Sequence, residues 1–362
     1  MLSDQECAWL RLHLTPGLGR KALFDLREVF PTPLDAVQTK LQHWPRKLGH
    51  RRTASLRVPA PDDPEFLKTV ERLRKEQVRI VSYWDDDYPS PLRHIHDPPA
   101  LLYLRGRFEQ LDGLAVVGSR KCSETGARFT REVCTEIARH DIAIVSGLAR
   151  GIDSSAHEGA LDGDGYTIAV LGCGIDFIYP PENGRLFQRI CETGAIISEY
   201  PPGTRPLAGH FPGRNRIISG LARGVLIVEA ATGSGSLITA DFALEQGREV
   251  FAIPGMVTAP NSRGVNRLLK DGAHLVTEAQ DILDILRPGS TTLSKTEQDL
   301  LPEGLSGIER TLVELVCFEP VQIDDLARKS GLTPMELSAI LLQLELREVV
   351  IQLPGMRYIR NV

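Results

Sequence analysis

No Cys-X-X-Cys pair occurs among the six cysteines of this 362-residue chain. Cys7, Cys122, Cys134, Cys173, Cys191 and Cys317 are scattered, which suits reduced thiols better than a disulfide framework or a zinc site. No run of 18 apolar residues is present to span a bilayer. The opening stretch MLSDQECAWLRL has no basic segment leading an apolar one, so no secretory signal is expected. These absences together point to a cytoplasmic protein with no membrane partner. A surplus of positive charge is missing too: 42 Lys and Arg stand against 47 Asp and Glu, a net charge of −5. Such a chain does not coat nucleic acid with its whole surface. Catalytic signatures are also absent, with no GxSxG, no HExxH and no close pair of carboxylates among apolar neighbours. No enzyme activity, catalytic residue, metal or cofactor is therefore expected.

What the chain does have is length for two or three domains, at about 150 residues each. Residues 1–111 carry 18 Lys and Arg against 15 acids, residues 112–286 carry 16 against 21, and residues 287–362 carry 8 against 11. Any phosphate binding must come from local clusters. Residues 1–58 read as short helices around the turn Thr15-Pro-Gly-Leu-Gly19, followed by the basic stretch of Lys40, Arg46, Lys47, Arg51, Arg52 and Arg57. Residues 59–64 read as a linker, and from about 78 to 286 the pattern is α/β. Strand-like runs recur at 78–82, 114–117, 143–146, 167–171, 195–198, 224–228, 250–253 and 274–276, separated by helical segments such as 127–139 and 239–246. Short continuous apolar strands alternating with helices indicate a parallel sheet covered on both faces, whose ligands bind outside the carboxyl ends of the strands. Residues 287–306 read as a polar linker. Residues 307–362 read as three helices and a hairpin, the order of a winged helix.

Five segments could carry chemistry. In Gly118-Ser119-Arg120-Lys121, backbone N–H groups and the Ser119 and Ser123 hydroxyls can hold a phosphate while Arg120 adds a bidentate fork; a plain strand–helix turn is the alternative. In the turn before His157, Asp153 and His157 share a helix face, but two ligands do not close a metal site. A helix cap and a packed histidine account for them better. Gly172-Cys-Gly-Ile-Asp-Phe177 lacks the last glycine of a dinucleotide fingerprint. The segment 201–220 gathers Arg205, His210, Arg214, Asn215 and Arg216 with no acid between them and Phe211 among them. A cationic loop with an interleaved aromatic is what a single strand needs, guanidinium groups tracking phosphates while a ring stacks a base. Finally, Thr232-Gly-Ser234-Gly235-Ser236 enters a helix and can cap it or bind phosphate, without the Lys of a P-loop. Ser262, Arg263, Asn266 and Arg267 add a further polar cluster.

Taken in order, AVVGSRKCSETG, IVSGLARGIDSSAH, TIAVLGCGIDFIYPPEN, ISEYPPGTRP, HFPGRNRIISGLA and EAATGSGSLITADFALEQGREVFAIPG resemble the DNA-processing protein A (DprA, or Smf) family over nearly 200 residues. The resemblance implies an extended Rossmann-like domain over 59–286. It also implies single-stranded DNA as ligand, a homodimer through that domain, and loading of the recombinase RecA during natural transformation or repair. It assigns DNA contacts to Arg120, Arg214, Asn215, Arg216, Ser234, Gly235 and Ser236, and the reading of the segments themselves adds Gly118, Ser119, Lys121, Arg205, Phe211 and Asn266 as candidates. Pro181 stands where many members carry a cation, and Arg185 or Arg205 could replace it. Residues 1–58 resemble a SAM-like module in which LHLTPGLGRKAL approximates a helix-hairpin-helix able to hold one phosphate. The winged helix resembles the family's C-terminal domain. Its helix over 335–346 carries Glu336 and Glu345 and no cation before Arg347, so a protein-contact or regulatory role fits better than duplex reading. Two competing readings remain: a nucleotide hydrolase, whose PGGxGTxxE glutamate has no counterpart at 231–239, and a transcription regulator acting through the winged helix.

Overall fold

The computed structural model describes residues 2–45, 48, 56–287, 307–316, 321–347, 349–353 and 355–360. The basic residues Arg46, Lys47, Arg51 and Arg52 and nearly all of the linker expected at 287–306 lie outside the described residues, as does Pro354 of the expected hairpin turn.

The sheet is built from β1 (Arg79–Ser82), β2 (Leu101–Gly106), β3 (Gly113–Gly118), β4 (Ala143–Ser146), β5 (Thr167–Leu171), β6 (Ala195–Ser198), β7 (Gly224–Val228), β8 (Glu249–Ala252) and β9 (His274–Leu275). Their spatial order is β1-β2-β6-β5-β4-β3-β7-β8-β9. All pairs from β6 through β9 are parallel, whereas β1 and β2 add an antiparallel edge. The chain leaves β3 for β4 on one side and returns to β7 on the other, so a topological switch point lies between β3 and β7, where open α/β sheets bind ligands.

The central strands are apolar along their whole length because both faces are covered. Along β3, Leu114 and Val116 enter one hydrophobic cluster and Ala115 and Val117 the other, the period of two that a pleated strand imposes. Gly118 ends β3 against β7, where a Cβ would lie 1.8 Å from the Val228 carbonyl oxygen.

The helices of this unit are α1 (Asp4–His13), α2 (Arg20–Val29), α3 (Pro33–Gln38), α4 (Pro64–Lys75), α5 (Glu124–Arg139), α6 (Ile152–Asp162), α7 (Gly184–Thr193), α8 (His210–Gly220), α9 (Gly235–Glu245), α10 (Arg263–Lys270) and α11 (Ala279–Leu286). Helix α8 corrects the loop expected at 210–220. Pro212 falls in its first turn, where a missing N–H costs nothing and the fixed φ suits a helix. Helices α1 to α3 pack on the β1–β2 edge and share its core: Trp9 stacks on Trp84 with ring centroids 4.9 Å apart, and His13 Nδ1 lies 2.9 Å from the Tyr103 hydroxyl. Residues 1–287 form one compact unit.

The C-terminal unit contains α12 (Gly307–Leu315), α13 (Ile323–Ser330) and α14 (Pro334–Leu346), with β10 (Val321–Gln322), β11 (Val350–Leu353) and β12 (Arg357–Arg360) in the order β10-β12-β11. It has its own core of Leu312, Leu326, Leu341 and Tyr358. Three helices and a wing in this order form a winged helix, as the sequence pattern indicates. Among the described residues, no helix is long and apolar enough to cross a membrane, and no cluster of His, Cys, Asp or Glu could hold a metal ion.

Candidate nucleic-acid interface

At the carboxyl ends of β3 and β7 opens a cavity of about 630 Å³. Gly118, Ser119 and Arg120 deliver one wall and Thr232 to Ser236 another; Phe211, Arg214 and Asn215 come from α8, with Tyr179 and Asn261 at the periphery. The chain thus brings together residues singled out in the sequence from the first, fourth and fifth segments, among them Ser119, Arg120, Phe211, Arg214, Asn215, Ser234 and Ser236. Gly118 and Gly235 line it as well.

The positive group open to solvent is Arg120, which is exposed and takes part in no ion pair among the described residues. Its guanidinium lies over the Phe211 ring, 5.2 Å from the centroid. Tyr179 lies beside Phe211, at 5.7 Å between ring centroids, as does Gly172, where a Cβ would come within 2.8 Å of the ring. Phe211 is therefore a platform that carries Arg120. Aromatic rings and guanidinium planes are both surfaces on which bases stack.

The start of helix α9 forms another part of the wall. Its N-cap is Ser234, whose Oγ accepts from Ser236 N and lies 2.7 Å from Ser236 Oγ. Gly233 holds φ at +79°, a left-handed value that allows the turn to expose its backbone to the cavity. N–H groups at such a helix start, with two hydroxyls beside them, attract phosphate. Asn215 Nδ2 donates to Gly235 O at 3.2 Å and so ties α8 to this turn.

The corresponding start of α5 is already occupied. Ser123 N and Oγ donate to the Glu229 carboxylate, and Ser123 Oγ in turn accepts from Gly126 N at 2.9 Å. The phosphate role expected for the Ser123 hydroxyl is thereby taken by the protein's own carboxylate.

Beneath the wall lies a buried polar layer. Arg214 Nη1 donates to Gly147 O at 2.9 Å and to Val170 O, and Arg214 Nε donates to Asn215 Oδ1 at 3.2 Å. Only Gly at 147 leaves room, since a Cβ there would lie 2.4 Å from the guanidinium. Burial pushes the Arg214 pKa down, partly countered by Asp153. Asp153 accepts from Gly147 N and Ala149 N, and burial raises its carboxyl above the usual range, against the pull of Arg214. One turn on, His157 Nδ1 lies 2.7 Å from the Thr167 hydroxyl. That hydroxyl gives its proton to Ile144 O, so the imidazole donates to it. Asp153 and His157 are thus structural, although Asp153 ties the 147–149 loop from inside the first helical turn rather than as the N-cap residue.

Four residues expected at the site lie elsewhere. Arg216 is on the other face of α8, where its guanidinium pairs with Glu199 at 2.6 Å and Asp97 at 3.4 Å. A residue two positions from Arg214 on a helix is rotated by about 200°, so the two cannot face one cavity. Asn266 is engaged with both main-chain groups of Gly255, donating to its oxygen at 2.9 Å and accepting from its nitrogen at 3.1 Å. Arg205 and Lys121 are exposed and do not line the cavity, and neither does Arg185, the alternative considered for Pro181. Conversely, Tyr179 and Asn261 line the cavity and carry no mark in the sequence. Tyr179 sat inside the quoted IYPPEN motif, and Asn261, whose Nδ2 donates to Lys121 O, sits next to Ser262 of the fifth cluster.

Family comparisons agree with this architecture. The model of the family described as DNA recombination-mediator protein A matches residues 79–287, and that of the DprA winged helix domain matches residues 296–356. The chain is 38% identical to Protein Smf of Synechocystis over the whole of both chains. It is 43% identical to Protein Smf of Escherichia coli over 87% of this chain and 89% of that one. Among solved structures, DNA processing protein A from Streptococcus pneumoniae superposes with a TM-score of 0.64 at 39% identity, covering 78% of this chain and 98% of that one. The Helicobacter pylori protein, whose structure was determined for its single-stranded DNA binding mode, gives 0.53 at 31% identity, with coverage of 58% and 95%. Sheet topology, winged helix and these matches lead to one conclusion: the chain belongs to the DNA recombination-mediator protein A (DprA) family.

Proposed function

We propose that the cavity between β3 and β7 captures single-stranded DNA without reading its sequence. Arg120 meets a phosphate or stacks on a base from its Phe211 platform, and the Ser234–Ser236 turn at the start of α9 takes a neighbouring phosphate. Asn215 fixes the distance between the two. The observation that carries this reading is the unpaired Arg120 guanidinium held over Phe211 opposite a helix N-terminus: a cation, a stacking plane and an anion site in one cavity. It gains support from the Helicobacter pylori relative, which is described as binding single-stranded DNA.

As a binding protein with no covalent chemistry at this site, the chain acts in the cytoplasm as a recombination mediator. It shields single strands and passes them to a RecA recombinase, as a homodimer through the sheet domain, in transformation or repair. Nucleotide hydrolysis is not favoured: Asp153, the carboxylate that lines the cavity, is buried and accepts from Gly147 N and Ala149 N, and nearby Glu229 is engaged by Ser123.

The test is fluorescence anisotropy of a labelled oligo-dT with the full chain, at low and high salt, against a duplex competitor. Preference for the single strand and a steep loss of affinity with salt are expected. Arg120→Ala should weaken binding about tenfold for every sequence and lower the log–log salt slope by about 1. Equal competition by duplex, or an unchanged Arg120→Ala variant, would remove the proposal.

A further inference from the structure

Arg216 does not line the cavity between β3 and β7, and what it does instead bears on that cavity. On the far face of α8 lies a second cavity, of about 480 Å³, between α1–α2 and the sheet domain. In it four side chains form a closed ring of ion pairs. Arg216 Nη2 meets Glu199 at 2.6 Å and Arg216 Nε meets Asp97 at 3.4 Å, while Arg20 from α2 reaches Glu199 at 3.1 Å and also pairs with Asp97. Arg216 and Glu199 are nearly sealed, with side chains 6% and 9% exposed, whereas Arg20 and Asp97 remain 37% and 47% exposed. Each carboxylate is thus held by one guanidinium from α8 and one from the N-terminal helices.

The ring acts on the element that builds the DNA site. Phe211, Arg214 and Asn215 project from α8 into the first cavity while Arg216 projects into the second. The rest of the helix is tethered from the same side: Gln246 Nε2 donates to Arg216 O at 3.0 Å, and the Tyr200 hydroxyl donates to His210 O at 3.0 Å. With side chains about 5–6 Å from the axis, a 20° roll of the helix moves their tips by about 2 Å, enough to break the bond from Asn215 to Gly235.

We propose that Arg216 and Arg20 are positioning residues for single-stranded DNA: the ring they close with Asp97 and Glu199 fixes the roll of α8 and couples the N-terminal helices to the DNA cavity. This rests on the function proposed above.

Arg216 is buried, and its removal endangers the fold, so the decisive variant is the half-exposed Arg20→Ala. Oligo-dT affinity is measured over a salt series for the full chain, Arg20→Ala, Phe211→Ala, their double variant and Arg120→Ala. Arg20→Ala should bind about three- to tenfold more weakly with its log–log salt slope unchanged, because no phosphate contact is removed. Its effect should shrink in the Phe211→Ala background, because both act through the same platform. An unchanged affinity, a slope lowered by about 1 as for a direct phosphate contact, or full additivity with Phe211→Ala would each overturn the proposal. If the unaltered chain does not bind oligo-dT, or Arg120→Ala binds as well as it does, the functional reading itself fails; if those two behave as expected and Arg20→Ala is silent, only the ring's role falls.

Discussion

The wall of the cavity between β3 and β7 and the polar layer beneath it are built from the same kinds of residue and do opposite things. Arg120 stands in the wall with its guanidinium in solvent over an aromatic ring; Arg214, lining the same cavity, is buried and fully engaged by main-chain carbonyls and Asn215. The first can exchange counterions for a phosphate. The second has already exchanged its water for protein oxygens, and holds the loops from which the wall rises. A count of arginines in a segment is therefore no measure of the charge it offers to a ligand. What matters is which guanidinium the fold leaves without an oxygen of its own.

This contrast can be broken at several points. The largest effect of a single substitution is expected in the lower layer: Arg214→Met orphans two buried carbonyls and leaves Asp153 without its nearby cation, and should destabilise the fold by about 3 kcal/mol in urea unfolding. Arg120→Ala should leave stability within about 0.5 kcal/mol while losing most DNA affinity. Equal stability losses for the two arginines would erase the distinction.

The next effect is one of acidity. Burial lowers the pKa of His157 to about 3 and that of His13 to about 4, against an ordinary value of 6.5. Between pH 6.5 and 4 the unfolded chain binds protons that the folded one refuses. Stability is then intact above pH 6.5 and falls as the pH drops through that window, by about 1.4 kcal/mol per pH unit for each imidazole. Urea midpoints at pH 7 and pH 5 measure it, and a flat profile would mean that the layer is wetter than the geometry implies.

The smallest effect belongs to the winged helix. Its exposed helix α14 shows Met335, Leu342 and Leu346 to solvent, and offers single strands no cation before Arg347. A chain ending at residue 287, which retains the whole compact N-terminal unit, should bind oligo-dT within about twofold of the full chain. Substituting Leu342→Glu should change nothing in that assay. A large loss in either would move part of the interface to the C-terminal unit.

Most of the sheet was legible in the sequence because a buried parallel strand announces itself by unbroken apolar residues, as Thr167–Leu171 and Gly224–Val228 do. Strand β2, with the sequence LLYLRG, follows Pro98 and Pro99 and runs antiparallel between β1 and β6, so it carried no crossover pattern to mark it. Helix α8 was hidden by Gly209, Pro212 and Gly213, residues that punctuate loops but are tolerated in a first turn. The convergence of the first, fourth and fifth segments followed from the rule that ligands meet the carboxyl ends of parallel strands. The fate of Arg216 could not be read locally. Segment 201–220 contains no acid, yet the fold brings Glu199 from 17 residues away and Asp97 from 119 residues away to neutralise it. Asn266 was lost to Gly255 in the same manner.

The most direct test of the account maps where DNA touches the protein. A single strand carrying 5-iodouracil is bound to the full chain, irradiated, and the crosslinked peptides are identified. Crosslinks are expected at Phe211, Tyr179 and the peptides holding Arg120 and Ser234. Crosslinks confined to the N-terminal helices or to α14, with the cavity peptides unmodified, would contradict it.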